Sequence, residues 1–110
     1  MPLFSKTFKG DTRLEACLVS DPAHVTLGAE GEHVSKIQRA LTLLQASKID
    51  DEECIAKRYG ESTASAVLAY KTKRAIINRS YQTKADNIVG KMTIAALDKE
   101  MLQDIVRRKI

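Results

Sequence analysis

Two short stretches of this chain are built on the same plan. Tyr59-Gly60-Glu61-Ser62-Thr63-Ala64-Ser65-Ala66-Val67 and Val89-Gly90-Lys91-Met92-Thr93-Ile94-Ala95-Ala96-Leu97 each put an aromatic or β-branched residue before a glycine. In both, threonine follows three residues later and an apolar pair three residues after that. A glycine turn that runs into apolar residues at this spacing reads as a helix start. In the first copy Thr63, Ala66, Val67, Tyr70 and Arg74 fall on one helical face. Two successive helix starts need a third helix to cover their apolar faces, and the upstream sequence offers one.

Composition sets what the core can be made of. The chain has 110 residues, enough for one domain with one modest core. Aromatics are 5% and tryptophan is absent, so Leu, Ile, Val, Ala and Met must fill the interior. Lys and Arg outnumber Asp and Glu by 18 to 14, a net charge of +4. That excess falls short of the clustered basic footprint of a nucleic-acid binder. Cys17 and Cys54 are too few for a disulfide framework and match no zinc spacing, so both read as small buried or half-buried apolar residues. No apolar run is long enough to span a bilayer. Met1 to Lys9 contain no signal-peptide core. The expectation is a chain that is cytoplasmic on synthesis, exported by another route, or cut from a longer protein.

Residues 1–26 read as an N-terminal arm that packs on the bundle or pairs with another chain, and residues 27–110 as the helical domain. The arm carries both phenylalanines, Phe4 and Phe8, and a Gly10-Asp11 turn signal. Leu14 to Val19 is open between helix and short strand, and ends at Ser20-Asp21-Pro22. Val34, Ile37, Leu41 and Leu44 then trace an amphipathic helix from about Glu32 to Ala46. Asp50 or Asp51 is placed to cap a short helix reaching about Arg58, with Ile55 as its buried residue and Gly60 as its left-handed terminus. The central helix is expected from Glu61 to Ala75. Residues 76–87 form a polar connection anchored by Ile76 and Ile77, and connections of this length are often functional. The last helix begins near Lys91, with Ile94, Leu97, Met101 and Ile105 inward.

Candidate chemistry is sparse. His24 and His33, with Glu30 or Glu32, match no established metal-ligand spacing, and His33 reads as a solvated side chain at a helix start. Cys54 is no nucleophile, because Asp51, Glu52 and Glu53 raise its pKa. Asp50 to Glu53 lack the spacing of a calcium loop and suit a helix N-terminus. Lys71, Lys73, Arg74, Arg79 and Lys84 are open between a contact for phosphate or a teichoic-type polymer and a solvated basic helix end and loop, the second being the simpler reading. Tyr59 and Tyr70 read as core, which leaves Tyr81 as the surface aromatic. Thr63 and Thr93 read as hydroxyls that satisfy free amides at helix starts.

Taken together, Gly28, Gly31, Val34, Ile37-Gln38 and Leu41 resemble the opening of the bacterial peptidoglycan-binding domain family. Tyr59-Gly60, Thr63 and Ala66-Val67 resemble its middle motif, and Asp86, Ile88-Val89-Gly90, Thr93 and Leu97 its closing one. The segments between the motifs are longer than usual for the family, and Lys57-Arg58 and Asp86-Asn87 stand where it commonly has Asp-Gly. The resemblance implies an all-α fold, a three-helix orthogonal bundle with a short extra helix and an N-terminal arm. It also implies a non-catalytic module that binds peptidoglycan or its fragments; the residues themselves point to no metal or other cofactor. Polarity and placement around the long connection nominate Arg74, Asn78, Tyr81, Asp86 and Asn87 as ligand contacts. The alternative is a protein–protein interaction module that keeps the fold without wall binding and docks through the arm.

Overall fold

The structure, a computed structural model, describes all residues except 1, 2, 4, 6, 20–23, 46–47, 75–86 and 110, with the side chains of 18, 19, 91 and 104–109 also set aside. The described residues form five helices and no sheet: α1 Thr12–Val19, α2 Glu32–Gln45, α3 Asp51–Ala56, α4 Glu61–Arg74 and α5 Lys91–Lys109. Helix α5 packs on both α1 and α2, and α2 packs on α4. Ile76 and Ile77, expected as anchors, lie outside the described residues, and so does the side chain of Ile105.

The stretch left open between helix and strand is a helix for local reasons. Asp11 Oδ1 accepts the amides of Arg13 and Leu14, both at 3.1 Å, which caps α1. Leu14 and Cys17, one turn apart, are fully buried. Leu3 and Phe8 are equally buried, and the amide of Ser5 donates to Asp98 Oδ1 of α5 at 2.8 Å. Leu3, Phe8, Leu14 and Cys17 therefore share one core with Val34, Ile37 and Leu41 of α2, Val67 and Tyr70 of α4, and Ile94 and Leu97 of α5.

One segment ties the two glycine motifs together. Val25 pairs with Val89 in an isolated antiparallel bridge, with N–H···O distances of 3.0 and 2.9 Å. A few residues on, Gly28 N donates to Tyr59 O at 2.9 Å and Tyr59 N to Ala29 O at 2.8 Å. Gly31 N then donates to Lys57 O at 2.9 Å. The residue before each motif glycine thus hangs on the same stretch, Val25–Gly31, which leads directly into α2. In each copy the glycine carbonyl accepts the first helical bond, from Ala64 and from Ile94.

Helix α3 departs from expectation in three ways. Ile55 is 81% exposed, and the buried residue of this helix is Glu53, at 5%. Asp50 is the N-cap, yet its side chain makes no capping bond; its carbonyl accepts the amides of Glu53 and Cys54. The left-handed terminus is Lys57, φ 54°, and not Gly60. The first has a cause in the fold: Glu53 turns inward to accept the amides of Gly60, Ser62 and Thr63, and Ile55 is left on the outer face.

Candidate functional site

Helix α4 begins with free amides and no side-chain cap of its own sequence neighbours, so its first turn needs acceptors from elsewhere. Glu53 supplies them. Its Oε1 accepts from Gly60 N at 3.1 Å and Thr63 N at 2.9 Å, and its Oε2 accepts from Ser62 N at 3.0 Å. The Thr63 hydroxyl donates to Glu53 Oε1 at 2.7 Å and accepts from Gln38 Nε2 at 3.0 Å. Thr63 was expected to satisfy a backbone amide with its hydroxyl; the Glu53 carboxylate takes that amide and the hydroxyl links two side chains instead. Gln38 Nε2 also donates to Arg58 O at 3.0 Å. Burial alone would raise the Glu53 pKa, but the hydrogen bonds from Thr63 and Ser62 outweigh it and hold the carboxyl at about 2. Gly60 is a glycine because of this carboxylate: a Cβ there would lie 2.5 Å from Glu53 Cδ. This knot is structural: the Glu53 carboxylate and the Thr63 hydroxyl are taken up by the chain's own groups, while Gln38 Oε1 is buried with no hydrogen-bond partner among the described residues.

Of the nominated contacts, Arg74 and Asn87 are described, while Asn78, Tyr81 and Asp86 lie outside the described residues. Arg74 closes the far end of α4. Its Nε and Nη2 donate to the Glu100 carboxylate at 2.6 and 2.7 Å, Nη1 donates to Gln45 Oε1 at 2.8 Å, and the guanidinium sits 3.9 Å from the Tyr70 ring centroid. The Tyr70 hydroxyl donates to the same Glu100 carboxylate at 2.6 Å. Asn87 is half-buried, and its carbonyl accepts from the Tyr59 hydroxyl. The basic helix end expected to be solvated is so only in part. Lys73 is exposed, but Lys71 is buried and donates to Ile88 O at 2.8 Å, tying α4 to the entry of α5. Nothing local in sequence marks Glu100 or Gln45 as partners of Arg74; both arrive through the crossing of α2, α4 and α5.

A second region is open. Gly10, Asp11, Thr12 and Arg13 at the start of α1 face Glu30, Gly31, Glu32, His33 and Lys36 at the start of α2 across a cleft of about 450 Å³. Lys36 Nζ pairs with Asp11 Oδ2 at 2.8 Å, and both residues line the cleft. His33, expected to be solvated, is 5% exposed. It is buried because its ring lies against Gly31, where a Cβ would stand 3.1 Å from Nδ1. Gly31 itself has φ +133°, a conformation that side chains disfavour. Burial, then the positive charge of Arg13, lower the His33 pKa below its ordinary value; Asp11 opposes and Lys36 adds to the lowering.

Among the described residues no group of three or more His, Cys, Asp or Glu side chains is arranged to hold a metal ion. Both cysteines are free thiols. Cys17 is buried, and desolvation raises its pKa to about 11. Cys54 is exposed, contrary to the expectation of a buried or half-buried thiol; the residue of this short helix that turns inward is its neighbour Glu53. Partial desolvation and then Asp51 and Glu53 raise its pKa as well. Among the described residues no helix is long and apolar enough to cross a membrane. No protein-family model, no curated protein and no solved structure matches the chain.

Proposed function

We propose that this chain is a non-catalytic module of the peptidoglycan-binding type that binds cell-wall polymer or its fragments. The ligand face is assigned to the end of α4 and the entry to α5, at Arg74 and Asn87; Asn78, Tyr81 and Asp86, nominated from the sequence, lie outside the described residues. The observation that carries this reading is the way residues of all three motifs meet. Val34, Ile37, Gln38 and Leu41, then Tyr59, Thr63, Ala66 and Val67, then Val89, Thr93 and Leu97 are all buried. Gln38 and Thr63 are hydrogen-bonded to each other. Motif positions that share one interior are what a common scaffold requires, and the scaffold then leaves specificity to the loops. The test is binding to insoluble peptidoglycan by the wild type and by the double variant Arg74→Ala/Asn87→Ala. The expected result is about a tenfold loss of affinity with helical circular dichroism retained. Unchanged binding counts against the assigned face.

A second reading, an interaction module, draws on exposed apolar side chains: Ile55 at 81%, Met92 at 52% and Leu27 at 50%. In that case the partner meets these residues. The arm's Leu3, Phe8, Leu14 and Cys17 are already committed to the chain's own core.

A further inference from the structure

The cleft between the starts of α1 and α2 has features that the wall-binding reading does not use. Helix α1 is capped by Asp11, whereas α2 is not capped by any side chain: the residue before it is Gly31. Among the described residues the amides of Glu32 and His33 donate to no partner. The Glu32 carboxylate does not fold back on them, being paired with Lys57. The His33 imidazole, nineteen-twentieths buried, lines the cleft and has no hydrogen-bond partner among the described residues. A helix start with free amides and a positive dipole end, next to an unpartnered imidazole and the Arg13 guanidinium, favours an anionic oxygen. A bare anion would also meet the carboxylates of Glu30 and Glu32 on the same rim. A ligand with an ammonium group close to its carboxylate turns that repulsion into attraction.

We propose that this cleft binds the zwitterionic head of an α-amino acid, its carboxylate on the Glu32 and His33 amides and the His33 ring, its ammonium toward Glu30. The site stands apart from the Arg74 and Asn87 face and does not rest on the wall-binding reading. The groups that face the imidazole are Arg13 and Asp11 from α1 and its lead-in, and Lys36 from its own helix. Asp11 and Lys36 neutralise each other at 2.8 Å, so they position the cleft without competing for the ligand. Lowering the pH through the range in which His33 gains a proton strengthens carboxylate binding.

The experiment is an amide NMR titration of the whole chain with glycine, and in parallel with N-acetylglycine, glycinamide and glycylglycine. The expected result is a saturable shift of the Glu32 and His33 amides with glycine. N-acetylglycine and glycinamide, each missing one charge, should bind about tenfold more weakly. Glycylglycine, with its charges set apart, distinguishes a peptide end from a free amino acid: binding equal to glycine's assigns the site to peptide termini and overturns the compact zwitterion. Glu30→Gln, an exposed change that leaves the fold intact, should weaken glycine but not N-acetylglycine. His33→Gln should weaken both. Shifts that fail to saturate, or equal responses to all four probes, overturn the proposal.

Discussion

The carboxylate of Glu53 lies 2.9 Å from the backbone nitrogen of Thr63 and 2.7 Å from its hydroxyl, so a side chain from α3 caps α4. Removing it leaves the amides of Gly60, Ser62 and Thr63 without their acceptor in a largely buried place. Glu53→Ala should cost about 2–3 kcal/mol, the cost of orphaning buried polar groups with a charged partner. Urea unfolding measures it; a loss below about 0.5 kcal/mol, the range of an ordinary surface change, would contradict the cap.

Gly60 and Gly28 separate close approach from backbone strain. At Gly60 a methyl group meets the Glu53 carboxylate, so Gly60→Ala should cost about 2 kcal/mol through overpacking. At Gly28, φ +94°, a Cβ meets nothing within 4 Å, and Gly28→Ala should cost only the left-handed penalty of about 1 kcal/mol. Combining Gly60→Ala with Glu53→Ala should give less than the sum of the two, because the clash is gone.

Acid should destabilise the fold in two steps. The His33 pKa is lowered in the folded chain, so the unfolded chain takes up its proton first and stability starts to fall below about pH 6.5. Glu53 is held at about 2 against 4.5 when unfolded, so its contribution is complete above pH 4.5 and is lost between there and pH 2. Asp11 and Glu100, also lowered, act in the same direction as Glu53. Stability measured from pH 8 to pH 3 in wild type and His33→Gln should show the upper step vanish in the variant while the lower one remains.

Period and punctuation made the long helices readable. The positions of α2, α4 and α5 that face inward are those at helical spacing after a glycine, and their observed starts at Glu32, Glu61 and Lys91 follow from that. Helix α3 resisted because it is six residues long, too short for a period to decide its face. Its most apolar side chain, Ile55, points out because the amides of α4, ten residues downstream, draw Glu53 in. His33 resisted for a similar reason: a polar residue at a helix start reads as solvated until Gly31 and the α1 turn close around it. Arg74 was legible as the end of the α4 face, but its partners Gln45 and Glu100 come from other helices and no local spacing connects them. Three of the five nominated contacts, Asn78, Tyr81 and Asp86, fall outside the described residues.

Arg74 is also a structural residue, and its removal must be read with that in mind. It combines a bidentate pair with Glu100 and a cation–π contact with Tyr70. The pair is about one quarter exposed, so a double-mutant cycle of Arg74→Ala with Glu100→Gln should give a coupling of only about 1 kcal/mol. A coupling near zero would contradict a contribution of this pair to stability.

The thiols should report the orientation of α3 directly. In the folded chain a disulfide reagent should modify Cys54 and spare Cys17 until the chain unfolds. Cys54 should react more slowly than a free thiol at pH 8, because its pKa is raised. Rapid modification of both would contradict the burial of α1.

The claim that the chain binds cell-wall polymer is tested most directly by co-sedimentation with purified insoluble peptidoglycan sacculi at low and moderate salt. The account predicts binding that survives moderate salt, as a formed polar groove would give, and that does not depend on the chain's mild positive charge. Binding lost with added salt, or absent at both concentrations, would contradict it and leave the interaction-module reading in its place.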